Sequence, residues 1–447
     1  MPVVIFWMTI LSLLPAVGLF GGIAFLIMAL AVGLAVIVWV RPQEAPGAGM
    51  LYLFACSAVF PSAARLDFFA QSAWEMYYWS AGLLIITFAA VARIGARRVF
   101  AIPTSARAFL AVALIAALYG LSQGATASYV LRQFYGVLLL IVYLGIALHV
   151  GSQTLLMRRI NTFGILCALL FFVYLLAEFA GLGFHREMTT VGTQASMLAT
   201  VLCFTGLGEK KRSYVLGAII LLCVPSLIFQ RRAVLTFLLA VPLAAAIKLR
   251  SKKLRLISCL IFILIALPGF LPSVAQKVGD TFNEIPVVGS ILPSGSADSD
   301  TLLDRNLQLV AAVSTVQAHP LLGVGLGGEI EWESPFLGHR QIAYVDNGWA
   351  YLLQKMGLLG AAAFLYFLIT VLRSISRNSL GLSACLLAVA AVTMFSEPVF
   401  FHFTTAPFVG TFAGLLLPKK YPYCTREAAI SPVLAPPRTA SPPTEGI

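Results

Sequence analysis

The chain has 447 residues, 60% hydrophobic and only 11% charged, with a mean hydropathy of +0.93. Soluble globular chains carry about 25% charged residues, so these totals exclude a soluble domain and predict an all-α polytopic membrane protein. The net charge of +12 would point to nucleic acid in a soluble protein; here most of it lies in short loops between apolar runs, where it orients helices, and no nucleic-acid partner is expected.

Fourteen apolar runs follow one another, at 3–20, 22–40, 48–62, 78–95, 107–122, 132–149, 160–181, 191–207, 213–229, 233–248, 256–272, 346–371, 379–396 and 400–417. Roughly 20 apolar residues span a bilayer as a helix. Unpaired backbone groups are not tolerated in lipid, so the spans are helices; the alternation of a membrane barrel is absent. Several runs are short, which predicts 12–14 transmembrane helices. The N-terminal MPVVIFWM lacks a basic leader and reads as a first span, not a cleaved signal. A tight hairpin at Gly21-Gly22 between the first two runs is one expectation.

Lys and Arg are unequal in alternate loops. One set, with the C-terminal tail, holds 21 and the other holds 8. The richer side is cytoplasmic by the positive-inside rule, so both termini face the cytoplasm and the long polar interval faces outward. Four regions result: a helix bundle over 1–272, a large outer loop over 273–345, C-terminal transmembrane helices over 346–420, and a Pro-, Ser-, Thr- and Ala-rich tail over 421–447 that reads as disordered. Seven of the eight outward cations are arginine. Arginine binds phosphate bidentately where lysine cannot; a genome that favours Arg codons is the bland alternative.

Candidate site residues collect toward the outer side. Arg231 and Arg232 form a short turn in VPSLIFQRRAVLTFLLAVP, either snorkelling at the interface or clamping a lipid-linked phosphate. Glu178, Lys355 and Glu397 are the acidic or basic residues in or beside spans, where such groups are costly and often functional. The stretch 302–319 reads as an amphipathic helix that carries Arg305 and stops at His319-Pro320. Gly323-Val-Gly-Leu-Gly-Gly328 follows. It resembles a dinucleotide fingerprint only on the surface, because no strand precedes it; a turn against the membrane is expected. His319 and His339 are candidate bases, each equally readable as structural. Asp346 opens the next helix, with Asn347 beside it, as an N-cap, a general base, or both. The seven cysteines and the histidines show no metal-ligand spacing. No metal, cofactor or disulfide framework is expected.

Three stretches together resemble the O-antigen ligase and O-antigen polymerase superfamily of bacterial envelope glycosyltransferases: LIFQRRAVLTFLLA; Asp304-Arg305 through Ala318-His319-Pro320-Leu-Leu-Gly-Val-Gly; and Asp346-Asn347 through Met356-Gly357-Leu-Leu-Gly360. The resemblance covers roughly 213–375. It implies a GT-C-like helical fold with one large periplasmic loop, in the bacterial inner membrane. The implied substrates are a polyprenyl-pyrophosphate-linked oligosaccharide and a glycan acceptor, met among membrane lipids and with other polysaccharide assembly proteins as possible partners. It also implies pyrophosphate contacts from Arg232, Arg231 and Arg305, a base at Asp346, His339 or His319, and support from Asn347 and Glu178. Ligases of the family carry His where this chain has Asp346, which favours a polymerase of O-antigen, capsule or exopolysaccharide over a ligase acting on a lipid A-core acceptor. A lipid-glycan flippase is the alternative class. It needs charge through the bilayer, whereas these residues gather at one face.

Overall fold

The computed structural model describes residues 18–59, 68–179, 189–227, 231–248, 296–334, 338–342, 345, 347–375, 379–391, 393–395 and 398–418. Almost all of them are helical. The helices are α1 (Gly18–Val40), α2 (Ala45–Val59), α3 (Phe68–Ile94), α4 (Thr104–Ser122), α5 (Ala127–Val150), α6 (Gln153–Arg159), α7 (Ile165–Phe179), α8 (Thr189–Glu209), α9 (Arg212–Leu227), α10 (Arg231–Lys248), α11 (Ser296–Ala318), α12 (Gly348–Leu372), α13 (Leu380–Ala391) and α14 (Ala406–Leu416). A π-helical turn, Ile160–Gly164, joins α6 to α7. Twelve of the fourteen apolar runs coincide with these helices. The run at 256–272 lies outside the described residues, as do 3–17 of the first run.

Five helices among the described residues are long and apolar enough to cross a membrane: Thr104–Ser122, Ala127–Val150, Gln153–Val173, Val191–Glu209 and Gly348–Leu372. Large apolar side chains such as Phe88, Leu176, Leu216 and Ile369 remain exposed on the helices, a surface that suits hydrocarbon. The chain is an all-α polytopic membrane protein.

Two expectations change. The hairpin at Gly21-Gly22 is not formed, because α1 runs through both glycines. An unbroken helix keeps every backbone group bonded inside an apolar segment, and that outweighs the weak helix propensity of glycine. The polar interval also contains a small antiparallel hairpin, β1 (Ile330–Ser334) with β2 (Gly338–Ile342), in which Trp332 faces Arg340 and Glu333 faces His339.

The C-terminal helices pack into the bundle. α14 lies along α5 and α12 along α4. The α5–α14 approach needs small residues: a side chain at Gly410 or Gly414 would strike the carbonyls of Leu140 and Leu144. Between α4 and α12, Phe109 meets Phe364 at 5.4 Å and stacks on Phe367 at 6.1 Å. Phe401, in the turn before α14, closes this cluster.

Contacts separate the bundle into two ends. At one, Arg159 donates to the Glu44 carboxylate (Nε to Oε2, 2.8 Å), Arg93 donates to the Trp39 carbonyl, and Ser379 bonds Gln153. At the other, the glycine turn rests on the end of α4 and the start of α5, and the turn before α14 on the start of α8. This second end, called the loop end below, holds the candidate site.

Candidate functional site

The loop end is built on a broken helix. Gly357 in α12 takes φ 59° and ψ −161°, a conformation essentially open only to glycine. A break inside an apolar helix strands backbone donors and acceptors that need partners. The glycine turn supplies them. Leu358 N–H donates to the Pro320 carbonyl at 2.9 Å, Leu359 N–H to Leu321 at 3.2 Å, and Val324 N–H to the Gln354 carbonyl at 2.8 Å. Close approach and reversal of the chain explain the glycines: Gly323, Gly325 and Gly327 all have positive φ, at 63°, 81° and 80°.

The turn is also fixed to α4 and α5. Leu326 N–H donates to the Ala116 carbonyl at 3.0 Å. Gly327 N–H donates to Gln133 Oε1 at 2.7 Å. The buried Lys355 ammonium donates to the carbonyl of Gly328. The expected turn is therefore present, and it acts as a backbone clasp between α4, α5 and α12.

The turn before α14 sits beside this clasp. Gln194 of α8 donates to the Thr404 carbonyl at 2.8 Å, and His402 Nδ1 pairs with Thr404 Oγ1 at 2.6 Å. The Arg132 guanidinium, at the start of α5, acts electrostatically on both Tyr351 and His402. Two residues beyond Gln194, Ser196 Oγ donates to the Ala233 carbonyl at 2.5 Å. Arg231 and Arg232 open α10 just before Ala233, so the backbone sets them at the loop end.

Arg305 lies in α11, which packs on β1 and α12 and ends just before His319. The side chains of Arg231, Arg232, Arg305 and Glu178 fall outside the described residues, as do Asp346 and Glu397. Asn347 is the N-cap of α12: its Oδ1 accepts from the N–H groups of Trp349 and Ala350, both at 3.0 Å. The cap expected at Asp346 thus moves by one residue, because an asparagine oxygen reaches the free amides of the first turn as well as aspartate does. His339 is exposed and pairs across the hairpin with the exposed Glu333 at 2.9 Å. His319 is exposed at the end of α11. No contact joins either histidine to the cluster around Lys355 and Arg132 among the described residues, and those residues contain no group of three or more metal-ligating side chains.

Sequence reasoning did not single out Arg132, Tyr351, His402 and Gln133 as site residues. Arg132 and Gln133 are adjacent in α5, Tyr351 lies in α12 and His402 in the turn before α14, so three distant parts of the chain meet here. The only signal was that Arg132 is one of the eight cations in the sparser set of alternate loops.

A family model described as O-antigen ligase matches residues 216–365. This match supports the resemblance to the O-antigen ligase and polymerase superfamily over that segment. A comparison with curated proteins finds no match. The matched O-antigen ligase segment runs from α9 into α12. It takes in the start of α10, the arginine helix α11, the glycine clasp and the Asp346-Asn347 pair. The similarity supports a membrane glycan-processing function of the ligase and polymerase type.

Proposed function

We propose that the chain is a metal-independent, inverting glycosyltransferase of the bacterial inner membrane that polymerises polyprenyl-pyrophosphate-linked repeat units at the periplasmic face. Its loop end faces the periplasm and both termini face the cytoplasm. The observation that carries this reading is the family match over residues 216–365, which takes in the glycine turn and the start of α12, combined with Asp346 at the position where ligases of the family carry His.

In this reading an acceptor sugar hydroxyl attacks the anomeric carbon of the lipid-linked glycan. The bond from that carbon to the pyrophosphate oxygen breaks, and the lipid pyrophosphate leaves with the electron pair. Asp346 takes the hydroxyl proton, with His339 and His319 as the other candidate bases. Arg232 and Arg305, with Arg231 beside them, offset the charge on the leaving pyrophosphate. Asn347 starts α12 next to the base and holds the backbone there, while Glu178 is assigned a supporting role.

The second reading is transfer of the finished glycan to a lipid A-core acceptor, favoured by the family description as ligase. A flippase is supported less well: among the described residues, the charged groups gather at the two ends of the bundle, Lys355 at the loop end included. Glycan analysis of a deletion strain separates the three. Single capped repeat units mark a lost polymerase, and long chains retained on the lipid mark a lost ligase. Repeat units accumulating on the cytoplasmic leaflet mark a lost flippase.

A further inference from the structure

We propose that Lys355 is a positioning residue: its buried ammonium ties the Gly328 carbonyl to α12 and so fixes the root of the hairpin, and the loop residues beyond it, against the membrane bundle. The inference rests on the functional reading above for its activity measurement, but not for its structural one.

Lys355 is completely buried. Its ammonium donates to the Gly328 carbonyl, lies 5.8 Å from the centre of the Tyr351 ring, and is favoured by the negative charge of Glu329. An ammonium carries three donors and needs strong compensation when it leaves water. An apolar residue of similar volume in such a place is often neutral or stabilising, and the neighbours Leu352 and Met356 are apolar and buried. Stability does not account for a lysine here; its location does. The backbone bonds that hold the glycine turn to α4, α5 and α12 end at Gly327. Gly328 is the next residue, and β1 begins at Ile330. Lys355 carries the anchorage across that gap, to the point where the chain leaves the bundle for the hairpin and for Asp346.

The test uses the full chain in detergent and in a complemented deletion strain, with Lys355→Met and Lys355→Arg. For Lys355→Met we expect normal abundance and an unchanged or raised thermal midpoint. Amide hydrogen exchange across 328–342 should accelerate by about tenfold while α4 and α5 stay protected. Polymer should fall by about tenfold or more, as expected when reacting groups are misplaced. Lys355→Arg, which keeps a charged donor, should restore part of both. Unchanged exchange in Lys355→Met would overturn the proposal, as would loss of abundance in both variants, which would make Lys355 a folding residue. A deletion strain with unchanged glycans would instead defeat the functional reading and leave the exchange result to decide the anchorage.

Discussion

Val324 and Gln354 are joined through their backbones: the amide of the turn residue donates to the helix carbonyl at 2.8 Å. Gln354 has that carbonyl to offer because α12 is broken three residues later, at Gly357. Turn and helix therefore complete each other, and neither has a full set of backbone bonds alone.

Gly357→Ala tests this relation. The backbone there costs a non-glycine residue of order 1–3 kcal/mol, and a Cβ would also strike the Leu321 carbonyl and the Leu322 amide. We expect lower abundance in the membrane and a lower thermal midpoint in detergent. An alanine variant with the wild-type midpoint would show that the break is not required.

Orientation rests on the charge asymmetry of 21 against 8. Gln341 is exposed on β2, so Gln341→Cys should react with an impermeant thiol reagent in intact spheroplasts. Labelling only after lysis would reverse the orientation and move the loop end to the cytoplasm.

The arginines are expected to act through bidentate geometry. Arg232→Lys and Arg305→Lys retain charge but lose the planar fork. Each should lose most polymer at normal abundance, as read from surface glycans and membrane immunoblots. Near-normal polymer from both would leave them as determinants of topology alone.

Asp346 and Asn347 now separate cleanly. Because Asn347 makes the cap, Asp346→Asn leaves it intact and should keep abundance while abolishing turnover, since an amide cannot accept the proton. Asn347→Ala should instead lower stability by about 1 kcal/mol, visible as a fall in thermal midpoint. An active Asp346→Asn variant would move the base to His339 or His319.

Much of this protein was legible along the chain. Helices in lipid satisfy their backbone locally, so apolar runs alone locate them, and α4, α5, α8 and α12 fall where the runs at 107–122, 132–149, 191–207 and 346–371 placed them. The proline after His319 stops α11, and the glycines after it make a turn, because both are constraints on single residues. Only the tertiary structure decided what that turn binds. Gly357 reads as an ordinary glycine in an apolar helix until Pro320 and Leu321 are brought against it. Lys355 reads as a costly charge in a span, a candidate with no assigned partner, until Gly328 meets it, and Gln133 as a polar residue in a span until it accepts from Gly327. The physical reason is that these partners come from chain segments far apart or from neighbouring elements whose packing no local pattern encodes. The hairpin Ile330–Ser334 with Gly338–Ile342 escaped for a related reason: Ile330 and Trp332 alternate with Glu331 and Glu333, but so short an alternation does not announce a strand by itself, and cross-strand pairing with packing of β1 against α11 is what holds it.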